Sequence, residues 1–130
     1  MFWVSYGKVS QDGIKGMISN PQNREEAVGK LLEAYGGKLV SYHLLLNGDI
    51  DFFIVSDIPD DKIADVALVN AMLVRGSGAI ESIATVPAMR AKDAVPQMQK
   101  AQEMASAMVY EAPTKSGSHF PHLFLSFLAI

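Results

Sequence analysis

Two carboxylates stand inside an apolar stretch, LLLNGDIDFFIV, that covers residues 44–55. Asp49 adjoins Asn47-Gly48, a chain reversal that water reaches, so its charge needs no partner. Asp51 lies further in, beside two phenylalanines, and burying an unpaired carboxylate is costly. Two roles fit Asp51. It either accepts hydrogen bonds from backbone amides or a partner chain, or it is an acid or acceptor at the edge of a ligand cavity.

Tyrosines on predicted strands are the other residues suited to a small-molecule ligand. Tyr6 and Tyr42 each combine an apolar ring, which suits packing, with a hydroxyl that suits a ligand. Together with Asp51 they form the predicted ligand-binding set. No catalytic residues are predicted, because serine, histidine and aspartate occur without a nucleophile elbow or another triad signature.

The sequence predicts neither a metal site nor a cofactor. His43, His119 and His122 are too few and too scattered for metal-ligand spacing, and Pro121 favours an irregular loop between the last two. The pair Gly76-x-Gly78 lacks the third glycine of a dinucleotide loop and is interpreted as a helix stop.

Composition limits the class of protein. A chain of 130 residues with 49% hydrophobic and 19% charged residues indicates one packed domain. Its net charge of −3, without a basic cluster, argues against a nucleic-acid partner. The absence of cysteine suits a reducing compartment, and no signal-peptide pattern opens the chain, so we expect a cytoplasmic location.

The apolar end of the chain, residues 120–130, is too short for a membrane-spanning helix, which needs about 20 residues. We expect it to pack on protein as an arm and expect no membrane partner. A peripheral membrane anchor or a reading-frame artefact are the alternatives for so short an apolar run.

Periodicity and turn signals predict the order β-α-β-β-α-β, followed by a helix and the arm. The predicted strands cover residues 2–9, 38–46, 50–56 and 78–86, and the predicted helices 10–35 (restarting at Asn20-Pro21), 59–75 and 96–111. Tight pairing of the middle strands at Asn47-Gly48 predicts a ferredoxin-like α+β sandwich with a four-stranded antiparallel sheet. The helices then cover one face of that sheet.

A two-residue turn at Asn47-Gly48 fixes which residues pair across the predicted hairpin. Leu44 then faces Asp51 and Tyr42 faces Phe53. Both faces of the hairpin are apolar, and the helices cover only one, so we expect a homodimer or a higher even oligomer with sheet against sheet. His43 and Asp51 fall on opposite faces, which excludes a dyad between them unless a bulge shifts the register.

Several segments, in order, resemble the GYD-domain family, named for a Gly-x-Tyr-Asp stretch in a hairpin. They are YGKVSQDGIK, LLEAYGGKLVSYHLL, NGDIDFFIV, PDD and ATVPAM. Gly48 and Asp51 match the ends of the motif, while Ile50 replaces its tyrosine. The resemblance implies a dimeric α+β barrel and leaves the biochemical function unassigned. We expect a GYD-like domain over residues 1–110 and a linker with the apolar arm over residues 111–130.

Two functions remain open from the sequence. The first is a small homodimeric protein that binds a small-molecule ligand or acts as a regulatory module, because no catalytic constellation can be assembled. The second is a small cofactor-independent enzyme of monooxygenase or isomerase type, as occurs on dimeric α+β barrels. A cavity with a perturbed acid beside a tyrosine or histidine favours the enzyme.

Overall fold

The computed structural model describes residues 1–107 and Pro113, which fall into two compact units, one of Met1–Met89 and one that begins at Arg90. The strands are β1 (Phe2–Val9), β2 (Lys38–Leu44), β3 (Phe52–Asp57) and β4 (Ile80–Ala88). The described α-helices are α1 (Gln11–Ser19), α2 (Arg24–Glu33), α3 (Ala71–Gly76) and α4 (Val95–Ser106).

The first unit is built on a four-stranded antiparallel sheet with the strand order β2-β3-β1-β4. This order, with helices between β1 and β2 and between β3 and β4, is compatible with the predicted ferredoxin-like arrangement. The limits of β1 match the prediction because aromatic and β-branched residues dominate residues 2–9.

The connection between β2 and β3 differs from the predicted two-residue turn. It covers residues 45–51, and its closing hydrogen bond runs from the Leu45 N–H to the Asp51 carbonyl at 2.9 Å. A bulge at Val40 shifts the register, so Tyr42 pairs with Ile54 instead of Phe53. The predicted Leu44–Asp51 pair is therefore wrong, because Leu44 pairs with Phe52.

Two separate helices replace the single kinked helix predicted between β1 and β2. Ser10 caps α1 as predicted, since its hydroxyl accepts a hydrogen bond from the Gly13 N–H at 3.0 Å. The predicted restart at Asn20-Pro21 is wrong: Asn23 caps α2 by accepting from the Glu25 N–H at 3.1 Å. The predicted stop near Gly36 is confirmed by its left-handed backbone, with φ of 73°.

The second helical region is irregular before it becomes α-helical. A 3₁₀ turn over Asp60–Lys62 is followed by a π-helical segment over Asp65–Asn70, which continues into α3. Single π-helical turns are rare and frequently occur at functional sites. This segment places Asn70 beside the interior of the unit.

Few side chains of this unit are fully buried. Leu32, Ile58 and Val66 form a small core, against which Trp3 and Tyr35 pack from the side. Large apolar residues remain exposed on the helices, including Ile18, Leu68 and Met72. Hydrophobic residues make up 49% of the chain. The small core of this unit therefore buries only a few of the apolar side chains that the sequence contains.

The second unit contains α4, which begins close to its predicted start and carries Pro96 in its first turn. Met98 on this helix is exposed. Residues 108–112 and the apolar arm at 120–130 lie outside the described residues, as do His119 and His122. No helix in the described part of the chain has the length and apolar character needed to cross a membrane.

Candidate functional site

A cavity of about 600 Å³ lies between the sheet and the helices of the first unit. Its lining comes from all four strands and from α1, α2, α3 and the π-helical segment. The exposed area of the lining is mainly apolar, although ten of its residues have polar or charged side chains. This combination is typical of small-molecule sites, whose volumes run from about 300 to about 1,000 Å³.

The floor of the cavity is one row of side chains that crosses the whole sheet. Tyr42 on β2 pairs with Ile54, Ile54 with Ser5 on β1, and Ser5 with Thr85 on β4. All four line the cavity. Residues paired across antiparallel strands share a face, so this row places three hydroxyl-bearing side chains and one isoleucine on the cavity side of the sheet. The hydroxyls of Ser5 and Thr85 hydrogen-bond each other at 2.9 Å.

The roof of the cavity contains two glycines, Gly13 and Gly16, which differ in the space around them. Asp12, Gly13, Gly16 and Met17 of α1 line the cavity, as does Asn20, the residue that caps the end of this helix. Gly13 is required for close approach, because a Cβ there would lie 2.3 Å from the Ala79 carbonyl oxygen. A Cβ at Gly16 would meet no atom within 4 Å. The roof therefore leaves the space open at Gly16.

Of the three large apolar residues of α1, only Met17 lines the cavity. Ile14 and Ile18 do not line the cavity, and their side chains are 42% and 74% exposed. The helix thus turns glycine toward the cavity and isoleucine away from it. That arrangement is the reverse of the usual amphipathic helix, whose apolar stripe faces the core.

Tyr42 is the predicted site residue that lines the cavity. Partial burial raises the pKa of its hydroxyl, and the nearby positive charge of Arg24 opposes part of that rise. The phenol is therefore protonated at neutral pH and can donate a hydrogen bond into the cavity. Arg24, the first residue of α2, also lines the cavity.

The opposite side of the cavity contains an unpaired acceptor. Asn70 lines the cavity, and its buried Oδ1 has no hydrogen-bond partner among the described residues. Leaving a buried polar atom unpaired costs about 1–3 kcal/mol. The atom is buried, so a molecule in the cavity reaches it only if the Asn70 side chain moves.

Asp51 and Tyr6, the other two predicted site residues, do not line the cavity. The Asp51 carboxylate accepts a hydrogen bond from the Val9 N–H at 2.9 Å, at the point where the β1–β4 register shifts. The prediction that Asp51 accepts a backbone hydrogen bond is thus confirmed. Tyr6 pairs with Phe53 on the face opposite Tyr42. The structure does not bring the three residues together, and a ligand-binding role for each stays a prediction.

The exclusion of a His43–Asp51 dyad rested on the two-residue turn, which the structure lacks. His43 now pairs with Phe53 and is exposed. Among the described residues, the Asp51 carboxylate bonds Val9 and makes no hydrogen bond to His43. Nor does any group of three metal-ligating side chains within the described residues have the geometry to hold a metal ion.

The fold and the cavity define a small α+β domain with a partly open, mainly apolar cavity between sheet and helices. The family model of the GYD domain matches residues 3–98, so the chain belongs to the GYD domain family. Comparisons with curated proteins and with solved structures return no match.

Proposed function

We propose that this protein is a small homodimeric module that binds an apolar small molecule between its sheet and its helices. The cavity of about 600 Å³ carries this proposal, because its volume and mixed lining suit one small organic ligand. The ligand contacts Ile54 and Phe52 on the floor and α1 on the roof.

The distribution of side chains on α1 favours a cavity that binds a ligand over a cavity that stays empty. Empty apolar cavities destabilise proteins, since their lining atoms lose packing contacts. A larger residue at Gly16, where a Cβ has open space, would occupy part of this one. The sequence instead keeps glycine there and exposes Ile18 outside. A ligand supplies the contacts that the chain omits.

The homodimer is part of the same proposal. The sheet face that does not line the cavity carries Val4, Tyr6, Phe53, Val55 and Val86, by strand register. An apolar face of this size is expensive to leave in water. A second copy, sheet against sheet as in dimeric α+β barrels, buries it with self-complementary contacts. A cytoplasmic location also belongs to this proposal and rests on the cysteine-free sequence.

A cofactor-independent enzyme of monooxygenase or isomerase type is the second candidate function, and one observation favours it. The half-buried phenol of Tyr42, with its raised pKa, lies at the cavity floor, where it can hold a proton for a bound substrate. No histidine lines the cavity among the described residues, and its one lining carboxylate there, Asp12, is exposed in the first turn of α1. Binding without turnover therefore has more support.

The uncharged fluorescent probe N-phenyl-1-naphthylamine tests the binding proposal, because its fluorescence rises in apolar sites. We expect it to bind the protein at one cavity site per chain. The variant Gly16→Leu puts a side chain into the cavity and favours the α1 helix, so it should fold and should bind the probe about tenfold or more weakly.

Gly29→Leu is the matched control for Gly16→Leu. Gly29 also lies within a helix, and a Cβ there also meets no atom within 4 Å, but it does not line the cavity. This variant should bind the probe like the wild type. A wild-type protein that does not bind the probe, or a Gly16→Leu variant that binds it unchanged, contradicts the proposed function.

A further inference from the structure

The ten polar or charged residues that line the cavity differ in how deeply they are buried. Five of them, including Asp12 and Arg24, are exposed, and four, including Tyr42, are half-buried. The remaining one is Ser56 on β3, which is only 6% exposed. Ser56 is therefore the most deeply buried polar side chain of the lining.

Ser56 interrupts an apolar row on the cavity side of β3. Phe52 and Ile54 precede it at alternate positions and line the cavity, and Ile58, the next alternate residue, is fully buried. Alternate residues of a strand point to the same face, so an apolar side chain would suit position 56. Packing alone therefore does not explain a serine there.

The hydroxyls of the other two lining serines are engaged within the protein. The Ser5 hydroxyl bonds the Thr85 hydroxyl, and the Ser77 hydroxyl donates to the Val74 carbonyl at 2.6 Å. The Ser56 hydroxyl, by contrast, has no hydrogen-bond partner among the described residues.

The Ser56 hydroxyl can also be reached from the cavity. Within the described part of the chain, the side-chain polar atoms that are both sealed from solvent and unpaired are Trp3 Nε1 and Asn70 Oδ1. The Ser56 Oγ is unpaired without being sealed, and Ser56 lines the cavity. Because an unpaired buried hydroxyl is costly, a molecule in the cavity supplies the acceptor that its proton lacks.

The depth of Ser56 determines the charge of the group that reaches it. The charged lining residues in the described part of the chain, Asp12 and Arg24, are both exposed. A charged group bound beside Ser56 would lose its hydration without a buried counter-ion, which is costly. The group is therefore uncharged.

We propose that Ser56 donates a hydrogen bond to a carbonyl oxygen of the ligand, and that this ligand is an uncharged, mainly apolar ketone, aldehyde or ester. A carbonyl accepts the Ser56 proton and brings no further proton that needs an acceptor. The apolar part of the ligand contacts Phe52 and Ile54. This assignment rests on the proposed function, since it names the ligand class of the same cavity.

Three compounds with one eight-membered carbon ring test the assignment by displacing N-phenyl-1-naphthylamine. Cyclooctanone has the carbonyl, cyclooctane lacks it, and cyclooctanecarboxylate has a charge in its place. We expect the carboxylate to bind wild type about tenfold or more weakly than the ketone, because its charge loses hydration in the cavity.

The variant Ser56→Ala removes the hydroxyl and little else. It should weaken cyclooctanone by about fivefold, as for the loss of one neutral hydrogen bond, and should leave cyclooctane within about twofold of wild type. Its urea midpoint should not fall, because no described group loses a partner.

Ser41→Ala is the matched control. Ser41 is also a half-buried serine of the sheet, but it pairs with Val55 on the face away from the cavity and does not line it. This variant should bind both ring compounds like the wild type.

The inference is overturned if Ser56→Ala weakens cyclooctanone and cyclooctane equally, or weakens neither. It is also overturned if the carboxylate binds wild type as tightly as the ketone. These results leave the proposed function standing, because binding of N-phenyl-1-naphthylamine and its weakening in Gly16→Leu are measured without any of the ring compounds.

Discussion

At the scale of single residues, Asp51 is explained by the backbone. The LLLNGDIDFFIV stretch accommodates its charge because the carboxylate pairs with the Val9 N–H, while its own N–H donates to the Gly7 carbonyl at 2.7 Å. Asp51 thus ties the β2–β3 connection to the end of β1. Asp49, by contrast, is exposed.

Replacement of Asp51 tests this structural role. Asp51→Leu leaves the Val9 N–H unpaired and should lower the free energy of unfolding by about 1–3 kcal/mol. Asp51→Asn keeps a hydrogen-bond acceptor and should lower the free energy of unfolding by less. Urea unfolding measures both, with Asp49→Leu as a control that stays within about 0.5 kcal/mol of wild type. Full stability in Asp51→Leu contradicts the structural role.

Tyr42 gives a pH dependence whose sign follows from its environment. The pKa of the Tyr42 hydroxyl is raised in the folded state, whereas in the unfolded chain this hydroxyl titrates at about pH 10. Above that pH the folded state binds more protons than the unfolded state, so stability falls as pH rises. The loss is at most about 1.4 kcal/mol per pH unit.

Comparison with Tyr42→Phe isolates this effect, because all other titrating groups are shared. The difference in unfolding free energy between wild type and variant should be constant from neutral pH to about pH 9. Above about pH 10 the unfolding free energy of wild type should fall relative to that of the variant. Chemical unfolding at several alkaline pH values measures it. A difference that stays constant through pH 11 indicates that burial does not perturb Tyr42.

At the scale of elements, local patterns predicted the strands and the order of elements, while long-range contacts decided the details. Asn47 takes the positive φ expected of a turn residue, at 58°. The hairpin is nevertheless longer than two residues, because Asp51 pairs with β1 rather than with Leu44. Neither this pairing nor the bulge at Val40 has a local signal in the sequence.

Most residues of the cavity could not be predicted from the sequence. Tyr42 was predicted from its residue type, but the row that joins it to Ser5 and Thr85 depends on the order and register of four strands. Arg24 and Asn70 join the site only through helix placement. One local signal was present: on a helical wheel, α1 sets Gly13 and Gly16 opposite Ile18. Of these two glycines, Gly16 marks open space, whereas Gly13 allows close approach to the Ala79 carbonyl.

At the scale of the whole molecule, the two faces of the sheet have different requirements. One face is half-covered by helices and encloses the cavity. The other carries an apolar set centred on Val4, which pairs with Val55 on one side and Val86 on the other. Val86 is 41% exposed, and this is the face that the proposed dimer uses. In the proposed dimer this surface is buried, and each cavity stays within its own chain.

A charge at the centre of that face tests the proposed dimer. Wild type should sediment at about twice 14.1 kDa, or at a higher even multiple, at micromolar concentration. Val4→Glu places a charge in the middle of this face, where the proposed dimer would desolvate it, and should shift the protein to monomer. Ile18→Glu adds the same charge on α1, where the side chain is already 74% exposed, and should leave the mass unchanged. Circular dichroism and binding of N-phenyl-1-naphthylamine check that Val4→Glu remains folded. Because the wild-type mass is measured independently of either variant, a wild-type monomer alone is enough to reject sheet-to-sheet pairing.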